Sequence, residues 1–214
     1  MQIRSKPRPF ALVALGVAFA AWHGAPRAAD ASVLPPPWPV PKDPSVMPAT
    51  DPVRPLLMGS LRVTLDGSTL AATGQAIGAG SPQRQGKGTD ALDWLCYTVS
   101  DAASAQRLWL TSSELSRGRI DAVVAAEVPP GSAPTPQCPD LPARFRPVRF
   151  DDGLWLGGMS AELRKTLGIP ARTGPVFSSL FQGQAGSLAM VSSTVLELRG
   201  GRVASLHVAH SSQN

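Results

Sequence analysis

Histidine, cysteine and charge are all scarce in this chain of 214 residues, which has three His, two Cys and only 16% Asp, Glu, Lys and Arg. The two cysteines, Cys96 and Cys138, stand far apart, so the closely spaced Cys and His sets that hold structural zinc are missing. Beyond residue 30 the histidines are His207 and His210. Three apart in a β-type run, they point to opposite faces and away from a shared metal. No metal and no other cofactor is expected. The glycines Gly78, Gly80, Gly86 and Gly88 have neither P-loop nor dinucleotide-binding spacing. Gly158-Met159-Ser160-Ala161-Glu162 lacks the second glycine of a nucleophile elbow, and Ser160 reads better as a helix cap. Asp151-Asp152, followed by Gly153, reads as a solvated turn rather than an acid–base pair. A triad assembled in space stays open, with Ser160, His207 and His210 as its residues.

Long apolar runs are equally rare. The one at the N-terminus, Phe10 to Ala21, follows Arg4, Lys6 and Arg8 and precedes a small-residue zone from Gly24 to Ala31. Basic flank, apolar stretch of about a dozen residues and alanine-rich exit describe a secretory signal peptide over residues 1–31, cut between Ala25 and Ala31. A transmembrane anchor would need about 20 apolar residues. No cysteine follows the run closely, so no lipid anchor is expected, and no membrane span remains once the signal is removed. The expected location is periplasmic or secreted. Charge agrees with this reading. The formal net charge is +5, yet without Arg4, Lys6, Arg8 and Arg27 sixteen basic residues face fifteen acidic ones. The high pI belongs to the export segment, and nucleic acid is not an expected partner. In an oxidising compartment Cys96 and Cys138 pair as one disulfide, closing a loop of roughly 40 residues worth about 4 kcal/mol by chain entropy.

Proline is abundant and divides the chain. Nine prolines lie between Ser32 and Pro55, and seven between Pro129 and Pro147. Such stretches favour extended polyproline II. Residues 32–57 read as an extended linker or, around Pro36-Pro37-Trp38-Pro39-Val40-Pro41, as a proline-rich ligand for another domain. Residues 129–147 join a first unit, 58–128, to a second, 148–214.

Leu61-Arg62-Val63-Thr64-Leu65 alternates as a strand, and each unit then carries a helix signal followed by three strand signals. In the first, Thr69 offers a cap before Leu70, Thr73 and Ile77 on one face, and Gly78 stops the helix. Strands are expected at 92–99, 107–112 and 119–127. In the second, Ser160 caps Leu163 and Leu167, and strands are expected at 176–181, 190–198 and 202–210. The turn Glu114-Leu115-Ser116-Arg117-Gly118-Arg119-Ile120 returns 83 residues later as Glu197-Leu198-Arg199-Gly200-Gly201-Arg202-Val203. That self-similarity predicts one supersecondary unit used twice. The expected fold class is therefore α+β, as two tandem helix-plus-antiparallel-sheet units. Alternation puts Trp94, Cys96 and Thr98 on one sheet face with Arg107, Trp109 and Thr111, and Leu95, Tyr97, Leu108 and Leu110 on the helix-covered face. Trp94, Trp109 and Arg107 are the candidate interaction face, with core packing as the other reading.

The segments Thr69 to Gly78 and Gly158-Met159-Ser160-Ala161-Glu162-Leu163-Arg164-Lys165-Thr166-Leu167-Gly168-Ile169-Pro170 resemble the G-M-T-x-x-x-V-x-x-x-L-G-x-P motif of BamE/SmpA-like modules and of secreted β-lactamase inhibitor proteins, in which the module is doubled. Trp94-Leu95-Cys96-Tyr97 is similar to their W-x-Y strand. The resemblance implies a protein–protein interaction module outside the cytoplasm. The leading expectation is an exported, non-enzymatic interaction module of the envelope, acting as inhibitor, assembly or scaffold factor. The alternatives are a periplasmic binder of a small ligand or envelope component and, third, a secreted hydrolase.

Overall fold

The computed structural model describes residues 33–37, 54–100, 105–129, 132–170, 174–185 and 187–213. The signal-like segment 1–31 and residues 38–53 of the first proline-rich stretch lie outside these. The described elements are β1 (Leu56–Met58), β2 (Leu61–Val63), α1 (Leu70–Ile77), β3 (Gln83–Gln85), β4 (Leu92–Ser100), β5 (Ala105–Ser113), β6 (Ala122–Val128), β7 (Val148–Phe150), α2 (Ala161–Thr166), β8 (Val176–Ala185), β9 (Leu188–Arg199) and β10 (Arg202–Gln213).

Local chemistry explains the helix ends. The Thr69 hydroxyl accepts from the Ala72 N–H, and Gly78 closes α1 in the left-handed region at φ 72°. The Ser160 hydroxyl accepts from the Leu163 N–H and starts α2. Each cap satisfies backbone groups that the first or last turn leaves unpaired. Leu70, Thr73 and Ile77 are buried, which fixes the inward face of α1.

The α+β reading with two tandem helix-plus-sheet units is overturned. The helices have only eight and six residues, and the described chain is dominated by ten strands in two antiparallel sheets. One sheet has three strands in the order β2-β1-β7, and the other has seven in the order β3-β4-β5-β6-β10-β9-β8. The strands expected to close two separate sheets instead meet: β6 pairs antiparallel with β10 from Ala126↔Ser205 to Ala122↔Ala209. The small sheet mixes the two halves as well, because Leu56 in β1 faces Phe150 in β7. The physical reason is edge pairing. A four-stranded meander, β3 to β6, and a three-stranded one, β8 to β10, expose unpaired backbone donors and acceptors at β6 and β10, and joining them satisfies both.

The repeated turn serves two different geometries. Between β5 and β6 it forms a 3-10 turn, Glu114–Ser116, with Arg117 at φ 51° and Gly118 at φ 83°. Between β9 and β10 it is a tight hairpin with Gly200 at φ 59° and Gly201 at φ 76°. Both glycines of that hairpin need positive φ, which matches the twist of the flanking strands.

The main core lies between one face of the large sheet and the layer made by α1, α2 and the small sheet. Leu95, Tyr97, Leu108, Leu110, Val123, Leu196 and Leu206 enter it from the large sheet, and Leu56, Ile77, Phe150, Leu163 and Leu167 from the covering layer. The segment 132–147 is fastened across the end of β4. Cys96 and Cys138 form a disulfide with Cα atoms 4.6 Å apart, and Thr98 N–H donates to the Pro139 carbonyl at 2.8 Å. The Arg146 guanidinium donates to the carbonyls of Ser100 and Leu141 and to the Asp140 carboxylate. The disulfide is compatible with an extracellular or periplasmic location. Among the described residues no helix is long and apolar enough to cross a membrane.

Candidate functional site

The second face of the large sheet, opposite the main core, is where the candidate residues lie. Strand register builds it in rows. Cys96, Trp109, Val124, His207, Val195 and Ser178 face one another across six strands. The neighbouring row runs Trp94, Thr111, Ala122, Ala209, Ser193 and Leu180. Alternation in β4 and β5 thus brings Trp94, Trp109 and Arg107 to one face.

That end of the face is covered by the chain itself. Trp94 and Trp109 are each 3% exposed and Arg107 is 2% exposed. The two tryptophans pack with the Cys96–Cys138 bridge, Val124 and the half-buried Val33. The Trp109 Nε1–H donates to the Val33 carbonyl at 2.9 Å. An Arg107 N–H donates to the Ala133 carbonyl at 3.5 Å. A pair of exposed aromatic anchors is therefore not what this end offers in its present state.

The other end of the same face is a cleft of about 990 Å³. Val124, Ala122, His207, Ala209, Val195, Ser193, Ser178 and Leu180 form its floor, Pro35, Pro36 and Pro37 stand on one side, and Leu115, Ser116, Arg119 and Asp121 on another. The floor is mostly small and apolar, with hydroxyls from Ser178 and Ser193. Burial holds the His207 imidazole neutral by lowering its pKa to about 3. The charged groups of the rim already serve the fold. The Asp121 carboxylate accepts from Ser113 N–H and Ser116 Oγ, both at 2.7 Å, and Arg119 pairs with Asp66 at 3.3 Å. Leu115, 71% exposed, is the largest apolar projection at this rim.

The remaining candidates separate. Ser160 is occupied as the α2 cap. His207 and His210 do fall on opposite faces: His207 opposes Val195, while His210 opposes Ser192. Ser192 Oγ and His210 Nδ1 are 2.8 Å apart, but Ser192 is fully buried, which denies it the exposure a nucleophile needs. Asp152 accepts from the Leu154 N–H, with its pKa raised by burial, and Asp151 pairs with Arg62 at 3.5 Å, as turn residues do. Among the described residues no group of three or more His, Cys, Asp and Glu could hold a metal ion.

Sequence reasoning missed the cleft floor on β8, β9 and β10. A trace of it was legible in the alternation of Ser178 with Leu180 and of Ser193 with Val195. It also missed the role of Val33, because a residue in a proline-rich linker carries no strand or helix period. No family model, no curated protein and no solved structure matches this chain.

Proposed function

We propose that the protein is an exported, non-enzymatic interaction module that receives a protein partner in the cleft over β6, β10, β9 and β8. The observation that carries this reading is the cleft itself, which lies on the sheet face opposite the main core and spans about 990 Å³. Its floor has short side chains and no net charge, so an extended backbone can approach closely and meet hydroxyl groups without a desolvated charge to offset. The motif resemblance of Thr69 to Gly78 and Gly158 to Pro170 to BamE/SmpA-like modules supports the same reading, without the repeated architecture that it implied. Export rests on the basic and apolar N-terminal sequence together with the disulfide.

The test is an affinity capture from native envelope after mild cross-linking, read by mass spectrometry, with wild type beside Leu180→Arg and Ser193→Arg. Both positions are half-buried at the cleft, so a long cation there blocks it. One partner recovered near one-to-one with wild type and lost with both variants is the expected result. Equal recovery with the variants, at unchanged melting temperature, overturns the cleft as the site.

A second reading has its own support. A volume of about 990 Å³ is also within the range of small-molecule sites. If a small envelope component were the ligand, saturating amounts would raise the melting temperature of wild type and not of Leu180→Arg.

A further inference from the structure

One end of the second sheet face is already occupied, and the occupant is chemically specific. Residues Val33 to Pro37 lie there without helix or strand structure. Leu34, Pro35 and Pro36 each precede a proline, which disfavours helical backbone and favours an extended, polyproline-type chain. Val33 packs on the Trp94 and Trp109 cluster, and its carbonyl accepts from Trp109 Nε1 at 2.9 Å. Further along, Pro36 and Pro37 line a small crevice together with Val124, Ala126, Val195 and His207. This is the chemistry by which aromatic-lined grooves take proline-rich chains. The indole N–H reads a backbone carbonyl, which a proline-rich chain cannot satisfy internally. A stiff proline-rich segment loses little entropy on docking.

We infer that this sheet face is a receptor for extended proline-rich segments, that residues 33–37 occupy its Trp109 end as an internal competitor, and that the partner presents a segment of the same class. The inference rests on the interaction reading above and names its partner chemistry. Two facts favour a partner chain over the chain's own segment as the final ligand. Val33–Pro37 borders the cleft rather than filling it, since about 990 Å³ remains open beside the prolines. Pro36 and Pro37 stay exposed, so the segment is not sealed into the face. Sixteen residues separate Pro37 from Arg54. The covalent link makes docking of residues 33–37 intramolecular, so a free segment competes against an effective local concentration.

The probe is a fluorescently labelled peptide with the sequence of residues 32–41, read by anisotropy against the full protein. Substituting Pro35→Ser, Pro36→Ser and Pro37→Ser together loosens the internal segment. The peptide should then bind about tenfold more tightly than it binds wild type, because the competitor has been weakened. Trp109→Phe on that background keeps the ring and removes the donor, and should weaken binding several-fold. A peptide with its prolines changed to serine should not bind. If the triple variant is folded by circular dichroism and melting and the peptide does not bind it, the inference is wrong. If the triple variant does not fold, the Trp109 indole proton of wild type is followed by NMR during titration. A shift at millimolar peptide supports the inference, and its absence overturns it. A wild-type dimer by light scattering that the triple variant lacks would give the face to a second copy and overturn the partner assignment. A cleft-dependent partner in the affinity capture, with no peptide binding, would leave the interaction module standing and sink only its proline-rich ligand.

Discussion

At the scale of single residues, burial of His207 has a consequence for pH. Its folded pKa lies near 3 against an ordinary value near 6.5, so the folded chain refuses a proton that the unfolded chain accepts. Stability is then unaffected above pH 6.5 and falls as pH drops from 6.5 towards 3, by at most about 1.4 kcal/mol per pH unit from this group. Urea midpoints measured across that window should fall more steeply for wild type than for His207→Gln. Equal slopes would show that His207 does not carry the effect. Gly59 makes a second case. It sits at φ 58°, and an added Cβ would come within 2.3 Å of the Arg144 carbonyl oxygen. Gly118 has a similar φ of 83° but nothing within 4 Å of that position. Gly118→Ala should therefore cost about 1 kcal/mol, from backbone strain alone, and Gly59→Ala at least about 2 kcal/mol because strain and clash add. Comparing the two by equilibrium unfolding separates the terms.

At the scale of elements, the two short helices depend on their caps. Eight residues and six residues are too few to be stable alone. Thr69→Ala and Ser160→Ala each remove a side-chain acceptor and should each cost about 1 kcal/mol, read as a lower urea midpoint at unchanged m-value. The helices were legible because a cap, a buried face and a stop signal are local: Thr69, then Leu70, Thr73 and Ile77, then Gly78. The alternation of Trp94, Cys96 and Thr98 with Leu95 and Tyr97 was legible for the same reason. Leu61 to Leu65 was legible as a strand by its alternation, and β2 lies within it, but β1 and β7 carry too few alternations to be recognised. They exist because they pair with one another, not because of their own pattern. The repeated Glu-Leu-x-x-Gly-Arg turn misled at this scale. It marks two strand reversals, but Arg117 and Gly118 make one kind of turn and Gly200 and Gly201 another.

At the scale of the whole molecule, the disulfide and the β6–β10 seam hold distant parts together. Cys96 and Cys138 are 42 residues apart in sequence, so their bridge should contribute about 4 kcal/mol through the entropy of the unfolded chain. Cys96→Ser with Cys138→Ser should lower the unfolding free energy by roughly that amount. Thiol titration of the denatured, non-reduced protein should find none free, and two thiols per chain would refute the bridge. Loss of the bridge should also loosen the cover over Trp94 and Trp109, visible as a change in tryptophan emission. The sequence by itself determined the pairing of two lone cysteines, the helix caps and which residues of β4 and β5 share a face. All of these depend on neighbours a few positions away or on simple counts. Only the tertiary structure decided that two meanders fuse into one seven-stranded sheet, that residues 33–37 dock on Trp109, and that a cleft opens over His207 and Ser193. Those outcomes are set by backbone groups and side chains brought together from opposite ends of the chain, and no local period encodes which edge or which groove they will find.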